Sequence, residues 1–196
     1  MTGSEDHAPL ESGGFETPRM RAEPLTLEHA EKLFPILSSD PELYRYIPEK
    51  APESLAALKT RFAQLLAGES ADGKERWLNW TLSSRRDGSF VGSLQATVRE
   101  LDQSALIAYS VFDDHRRQGL GKEAVAALVQ WLFDTCLSVE TIRAQVDDQN
   151  LASLRLAESA GMTWAGTEED ADFFDGASRT EAVFSVTRSR FPRQET

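Results

Sequence analysis

The chain has 196 residues, of which 40% are hydrophobic and 27% are charged, which is the size and composition of one globular domain. Its 21 lysines and arginines against 32 acidic residues leave a formal net charge of −11. That charge argues against non-specific nucleic-acid binding and against an anionic membrane surface, because both depend on a basic face. The single cysteine, Cys136, excludes an internal disulfide framework and a four-cysteine metal site.

The two ends of the chain are predicted to lie outside the folded domain. Residues 1–16 are rich in acids and glycine and poor in large apolar groups, which predicts a mobile tail, and residues 191–196 are expected to form a second, shorter one. The first residues show no signal-peptide pattern, and the most apolar stretch, residues 124–133, is too short to cross a bilayer. We therefore expect a cytoplasmic protein.

Hydrophobic periodicity predicts four helices. Thr26 resembles an N-cap for an amphipathic helix, and Pro52 opens a second helix that Gly68 ends. An apolar stripe from Val125 to Phe133 marks a third helix, and residues 150–160 form the fourth.

Alternating and fully apolar segments predict seven strands, at residues 19–24, 77–83, 90–98, 105–112, 141–146, 162–165 and 179–186. The central strands follow one another as hairpins, whereas the later ones alternate with helices. The sequence therefore predicts an α/β fold with a mixed, mostly antiparallel sheet of about seven strands and helices on both faces.

A turn with two glycines, Gly119 and Gly121, connects the fourth predicted strand to the third helix. Glycine lets a ligand approach the backbone, and the first amides of a helix point outward with the positive end of the helix dipole behind them. Arg116 and Arg117 would add positive charge. This pattern favours a phosphate site, with an ordinary strand-to-helix connection as the alternative.

Two common nucleotide patterns do not fit this turn. A Walker loop requires Ser or Thr after its Gly-Lys pair, but Gly121-Lys122 is followed by Glu123. The dinucleotide fingerprint fails because no acid stands at the end of the next predicted strand, which begins at Thr141. A nucleotide-binding domain is therefore disfavoured.

The spacing Arg116-x-x-Gly119-x-Gly121 resembles the pyrophosphate-binding motif of the GNAT family of acetyl-CoA-dependent N-acyltransferases. The segment that starts at Asn150, continues with Ser153 and closes on Gly161 resembles the second half of the same family's core. The resemblance covers residues 19–188.

It is closest to the branch of ribosomal-protein N-terminal acetyltransferases, in which a Glu-Ala pair such as Glu123-Ala124 commonly follows the glycine turn. It implies a GNAT-like acetyltransferase domain over residues 17–190, with acetyl-CoA as cosubstrate and no metal. The acceptor would be a primary amine, on a small molecule or at a peptide N-terminus. The alternative to an enzyme is a catalytically degenerate module that only binds acyl-CoA. For the oligomeric state, a homodimer is one option.

By resemblance, the pyrophosphate would be bound by the turn residues Arg116, Arg117, Gln118, Gly119, Leu120, Gly121 and Lys122. The pantetheine arm of the cofactor would lie along Val111 and Phe112, with the Val111 amide facing the oxyanion of the tetrahedral intermediate. Asn150 would hold this arm, and Ser153 would protonate the departing thiolate. Alternatively, Asn150 simply caps its helix by accepting a hydrogen bond from the Ser153 amide.

The proton acceptor is sought among carboxylates that follow the short sixth predicted strand, which are Glu168, Glu169, Asp170, Asp172 and Asp175. In the family this segment, expected here to be a loop, borders the acceptor. Crowded acids raise one another's pKa and attract a protonated amine. Asp172 is the first candidate for the base and Glu168 the second, with a solvated acidic loop as the alternative.

The remaining chemically distinctive residues are weaker candidates for a catalytic or binding role. Cys136 has no recognisable partner and is interpreted as a bystander thiol, and the three histidines show no metal-ligand spacing. Residues 44–48 lie where relatives place an acceptor-binding loop, although a packed surface loop is the alternative. Trp77 and Trp80 lie on opposite faces of one strand, so one of them is expected in the core.

Overall fold

The computed structural model describes residues 13–174 and 176–191. The strands in these residues are β1 (Phe15–Glu16), β2 (Met20–Pro24), β3 (Arg76–Ser84), β4 (Phe90–Arg99), β5 (Ser104–Val111), β6 (Thr141–Asp147), β7 (Thr163–Phe174) and β8 (Ala177–Thr187). The helices are α1 (His29–Ser39), α2 (Leu55–Leu65), α3 (Leu120–Thr135) and α4 (Leu151–Ser159). No helix in this part of the chain is long and apolar enough to cross a membrane.

All these strands form one sheet in the order β1-β2-β3-β4-β5-β6-β8-β7. The β5–β6 pair is parallel, and the other neighbours are antiparallel. The mixed, mostly antiparallel α/β architecture is therefore confirmed, with eight strands where the sequence predicts about seven.

The additional strand, β1, lies within the segment that the sequence assigns to the N-terminal tail. It pairs with β2, Phe15 lying opposite Ala22. The fold also extends to Phe191, whose ring lies 5.9 Å from that of Phe133. Contacts with the fold thus reach residue 15 at one end and residue 191 at the other, while residues 1–12 and 192–196 lie outside the described residues.

One face of the sheet carries α3 and α4. The predicted apolar stripe of α3 is fully buried, with Val125, Leu128, Val129 and Leu132 each 0% exposed. These side chains belong to the same core cluster as Ile107 and other inward-facing residues of the sheet. Because each such side chain contributes about 1.5–3 kcal/mol when buried, this packing fixes α3 firmly at the centre of the sheet.

The opposite face carries α1 and α2, whose own core cluster includes Leu33 and Phe62. Neither helix begins where the sequence predicts. The first begins at His29, and the Thr26 amide donates to the His29 ring instead of Thr26 capping the helix. The second is capped by Ser54, whose hydroxyl accepts from the Ala57 amide at 3.1 Å.

The strand β7 is three times as long as the four residues predicted for it, because it continues through the acidic segment to Phe174. It is an edge strand that pairs with β8, with irregular register between Glu168 and Asp172. The expectation of an acidic loop is therefore wrong for Glu168, Glu169, Asp170 and Asp172, which lie on a strand. Asp175 lies outside the described residues.

Candidate active site

The sheet opens at its centre, between β5 and β6. These strands pair from Ser104 with Thr141 as far as Ile107 with Ala144, and no further. The strand β5 continues to Val111, held by β4, and β6 continues to Asp147, held by β8. Beyond Ile107 and Ala144, each of the two strands stays paired with its outer neighbour only, so a V-shaped gap opens between β5 and β6.

Val111 directs its backbone N–H into this gap. The Phe112 amide donates to the carbonyl of Val91 at 2.9 Å, and the next pair along the ladder is Val111 with Gly92. Hydrogen-bonded and non-hydrogen-bonded pairs alternate in an antiparallel ladder, so the Val111 N–H points away from β4. Phe112, also predicted to lie along the cofactor arm, has its amide bonded to Val91 and a side chain that is 3% exposed.

The predicted phosphate turn lies at the start of α3. Gly119, at the N-cap, has φ +75°, a left-handed conformation that favours glycine. The first backbone bond of the helix runs from the Glu123 amide to the Gly119 carbonyl, at 3.3 Å. Within the described residues, none of the six N–H groups from 117 to 122 donates to a protein acceptor. The turn therefore offers consecutive donors to an anion.

Gly121 has a different purpose from Gly119. A Cβ at position 121 would lie 2.4 Å from Cδ1 of Leu156 and 3.3 Å from Cγ2 of Val111. Its lack of a side chain lets the first turn of α3 pack directly against α4 and β5. This contact places the turn at the mouth of the gap.

The Arg116 side chain, a predicted phosphate ligand, contacts three groups of the protein itself. Its guanidinium donates to Asp40 Oδ2 at 2.6 Å, to Asp113 Oδ1 at 3.2 Å and to the Val111 carbonyl at 3.0 Å. These bonds tie the end of β5 to the end of α1. Arg117 and Lys122 are exposed and form no ion pair with another described residue, so they are the side chains available to an anion.

Two further contacts brace the same turn. Glu123 accepts hydrogen bonds from the Thr17 hydroxyl and from Nε of Arg19, both at 2.6 Å. Burial opposes ionisation of Glu123, but these bonds prevail and lower its pKa. Nη1 of Arg19 also donates to the Gln118 carbonyl at 2.9 Å, and the side chain of Gln118 donates to the Asp114 carbonyl. The turn is thus shaped before any ligand binds.

The start of α4, which follows β6, lies across the gap from the start of α3, which follows β5, on the same face of the sheet. Asn150 caps the helix, its side-chain oxygen accepting from the Ser153 amide at 3.1 Å, which confirms the capping alternative. The Ser153 hydroxyl donates to the Tyr109 hydroxyl at 3.1 Å, and Tyr109 donates to the Ser153 carbonyl at 3.2 Å. Burial raises the pKa of Tyr109. Tyr109 is not among the residues predicted from the sequence, although β5 periodicity places it on the same side as Val111.

A second missed residue is Glu181, on β8. It lies opposite Asp147 of β6 on one side and opposite Glu168 of β7 on the other. Burial, together with the charges of Asp172, Glu168 and Asp147, raises the pKa of Glu181. Glu168 itself is exposed and accepts a hydrogen bond from Gln145 at 2.6 Å. Two of the predicted carboxylates, Glu168 and Asp172, and the unpredicted Asp147 therefore act on the half-buried Glu181.

A cavity of about 190 Å³ lies beneath α1 and α2 and reaches the gap at Tyr109 and Ser110. Tyr44 and Ile47, from the segment predicted to be an acceptor loop, contribute to its wall. Trp80 also lines it and is the tryptophan buried in the core, at 1% exposure. A small organic group could therefore approach the gap from the face opposite α3.

Cys136 lies far from this region. It follows the last residue of α3, whereas the glycine turn precedes the first, and a 16-residue helix is about 24 Å long. Burial raises the pKa of its thiol to about 11. These properties are those of a structural thiol.

Comparison with known sequences decides the family. Residues 19–163 match the pattern that defines the acetyltransferase (GNAT) domain. The chain belongs to the GNAT acetyltransferase family. It is thus an N-acyltransferase by family. A search of curated proteins found no sequence match.

Solved structures of GNAT enzymes share this fold. RimJ of Mycobacterium smegmatis, in complex with CoA-disulfide, is 21% identical with a TM-score of 0.79, over 92% of this chain and 88% of that one. Ribosomal-protein-S5-alanine acetyltransferase from Vibrio fischeri is 14% identical with a TM-score of 0.76, over 92% and 100%. Spermidine N-acetyltransferase from Vibrio cholerae, in complex with CoA and spermine, is 16% identical with a TM-score of 0.72, over 88% and 97%.

Proposed function

We propose that this GNAT protein transfers an acetyl group from acetyl-CoA directly to a primary amine, on a small molecule or at a peptide N-terminus. The observation that carries this proposal is the meeting of the β5–β6 gap with the free N–H groups of residues 117–122. A pyrophosphate on these donors would direct the pantetheine arm along Ala108–Val111. The CoA-bound RimJ and spermidine acetyltransferase structures support the choice of cofactor.

The amide of Val111 is the proposed oxyanion donor. An acetyl thioester lying along β5 would place its carbonyl oxygen near the N–H that points into the gap. Charge develops on this oxygen as the amine attacks, and loss of one such donor typically costs about 10²–10³ in rate.

Ser153 is the proposed proton donor to the departing thiolate: its hydroxyl proton passes to the sulfur as the C–S bond breaks, and the serine oxygen is reprotonated from water. Tyr109 holds the serine hydroxyl in place. A free thiol has a pKa of about 8.5, so thiolate departure near neutral pH benefits from a nearby hydroxyl. The Tyr109 hydroxyl fixes the position of the Ser153 side chain at 3.1 Å. The capping bond of Asn150 uses its oxygen, which leaves the amide nitrogen to bond the cofactor arm.

Glu181 is the proposed proton acceptor, in place of Asp172 and Glu168. The amine must be neutral when it attacks, so a carboxylate or a water bound to one has to take its proton. The strand β8 adjoins β6, whereas β7 lies one strand further out, so Glu181 is nearer the gap by about 4.8 Å. The raised pKa of Glu181 also lies closer to neutral pH than the pKa of an exposed carboxylate.

Calorimetry with CoA, followed by thiol release from acetyl-CoA in the presence of amines, tests this function. We expect CoA to bind and thiol release to require an amine. Binding of CoA without release for any peptide, amino acid, polyamine or aminoglycoside would favour the degenerate module instead. Binding of ATP without binding of CoA would overturn the cofactor assignment.

A further inference from the structure

We infer that the acceptor amine carries a second positive charge, which is bound by Asp147, Glu168 and Asp172 on the β6–β8–β7 face beside Glu181. This inference rests on the proposed function, since it specifies the acceptor. The chemistry is an ammonium or guanidinium group at a fixed distance from the reacting nitrogen.

The strand registers place these carboxylates on one face. Asp147 and Glu168 both lie opposite Glu181, and Asp172 lies opposite Arg179, two residues along the same strand. Directly opposed residues and residues two apart on a strand share a face. The hydrogen bond from Gln145 to Glu168 confirms this arrangement.

This face is the one turned away from α3 and α4. Ile142 and Ala144 of β6 are fully buried in the core beneath those helices. The alternate residues, Gln145 and Asp147 among them, therefore point to the other side of the sheet, where the cavity under α1 and α2 reaches the gap. The cavity is lined by residues of β3, β4 and β5, and the carboxylates lie on the same face across the gap, on β6, β8 and β7. An amine that reaches the gap through the cavity would have the carboxylates beside it.

One carboxylate on this face has an unmet hydrogen-bonding requirement. Asp147 is 3% exposed, and within the described residues its Oδ2 accepts no hydrogen bond. The nearest cation, Nη1 of Arg179, is 3.8 Å away, beyond hydrogen-bonding distance. The Arg179 guanidinium lies over the ring of Phe174 at 4.3 Å, and its buried Nε also has no partner in this part of the chain. A buried carboxylate oxygen in this state favours a further donor.

The charge on the face is negative even when its cations are counted. The face carries the four carboxylates of Asp147, Glu168, Asp172 and Glu181. Two cations offset part of this charge: Arg179, which is paired with Asp147, and Arg143, which faces the same side four residues before Asp147 on β6. Glu181 would also be neutral after it has taken the proton of the reacting amine. A second cation on the acceptor would balance the remaining charge.

Strand spacing sets the distance between the two nitrogen atoms of the acceptor. The face extends one to two strands from the gap, which corresponds to about 5–10 Å. A four-carbon diamine fits this distance, and so does a peptide whose N-terminal residue is followed by lysine. The two sources share one chemistry and are separated by the probes below.

The test compares kcat/KM for 1,4-diaminobutane with that for butylamine, and for the dipeptide amide Ala-Lys-NH2 with that for Ala-Gln-NH2, using the full chain. We expect about a tenfold preference for the dication in at least one pair, and which pair shows it identifies the source. Glu168→Gln and Asp172→Asn should each reduce this preference about fivefold, and 0.5 M salt should reduce it as well. Glu158→Gln, an exposed acid on α4, is the matched control and should leave the preference unchanged.

Calorimetry separates this inference from the proposed function. In the presence of CoA, we expect at least one of the two dications to bind and its singly charged partner to bind much more weakly, whether or not acetyl transfer is observed. Equal binding and equal kcat/KM within both pairs would overturn the inference while thiol release still supported acetyl transfer. Preference for a dication without any thiol release would contradict the proposed function alone.

Discussion

The hydroxyl oxygens of Ser153 and Tyr109 lie 3.1 Å apart, joining the first turn of α4 to the part of β5 that borders the gap. Tyr109 also donates to the Ser153 carbonyl, so the two residues are held by a reciprocal pair of bonds. Because both are partly buried, the serine hydroxyl has few orientations available. The arrangement positions a proton donor at the edge of the proposed thioester site.

Removing either hydroxyl should lower kcat more than it changes KM. We expect about 10²-fold for Ser153→Ala, which removes the proposed proton donor, and about tenfold for Tyr109→Phe, which only frees its orientation. The double variant should cost no more than Ser153→Ala alone, because the tyrosine acts through the serine. Steady-state kinetics on all three variants checks this, and fully additive losses would contradict it.

Gly119→Val should abolish CoA binding and leave the fold intact. The backbone at this position has φ +75°, which a β-branched residue avoids, so the turn must rearrange and its N–H groups must reorient. A Cβ there would contact only Nη2 of Arg19, at 3.6 Å, so the surrounding packing is undisturbed. Calorimetry with CoA and circular dichroism measure the two effects, and unchanged affinity would mean that the turn is only a connector.

Gly121→Ala is the matched variant, and its main effect should be on the stability of the fold instead of on the turn that binds CoA. Its Cβ would overlap Cδ1 of Leu156, so we expect a loss of about 1–3 kcal/mol in the free energy of unfolding. Shortening the neighbour with Leu156→Ala should recover part of that loss, because the two changes compensate in volume. Denaturant titration of the single and double variants checks this, and a double variant no better than the sum of the singles would refute the packing role.

The fold and the position of the glycine turn were predictable because their signals are local. The stripe of α3 and the two glycines lie within 15 residues of chain, where periodicity and conformational preference act directly. The length of β7 was not predictable, because an exposed edge strand rich in acids has the composition of a loop. Contacts between distant positions also escaped, such as Arg116 with Asp40, 76 residues apart, which no local pattern encodes.

Arg116→Ala should destabilise the fold rather than weaken CoA binding. The substitution removes the partner of Asp40, a carboxylate that is 8% exposed, and frees the end of β5. We expect a loss of about 1–3 kcal/mol and a Tm lower by several degrees, with the Kd for CoA changed about twofold at most. Thermal unfolding and calorimetry separate the two.

Arg117→Ala and Lys122→Ala should show the reverse pattern. Both side chains are exposed beside the free N–H groups, so each loss should weaken CoA binding about fivefold to tenfold and leave the Tm unchanged. The effect should shrink in 0.5 M salt, because exposed charges are screened. A large loss of affinity in Arg116→Ala with no change in Tm would restore Arg116 as the phosphate ligand.

The pH dependence of kcat/KM should report the ionisation of Glu181. A proton acceptor works only when ionised, and burial with the charges of Asp172, Glu168 and Asp147 raises its pKa above the usual value of 4.5. Activity should therefore increase with pH through a limb whose midpoint lies above 4.5. In Glu181→Gln this limb should disappear and the rate should fall about 10²-fold.

Asp172→Asn tests the cause of that midpoint. Removing a neighbouring negative charge makes ionisation of Glu181 easier, so the limb should move to lower pH. Ionisation of the acceptor amine produces a separate limb at higher pH, which should be the same in every variant. Glu158→Gln, distant on α4, should leave both limbs in place. If the low-pH limb persists in Glu181→Gln, another carboxylate takes the proton. The midpoint of that limb in Glu168→Gln and in Asp172→Asn would then show which carboxylate it is.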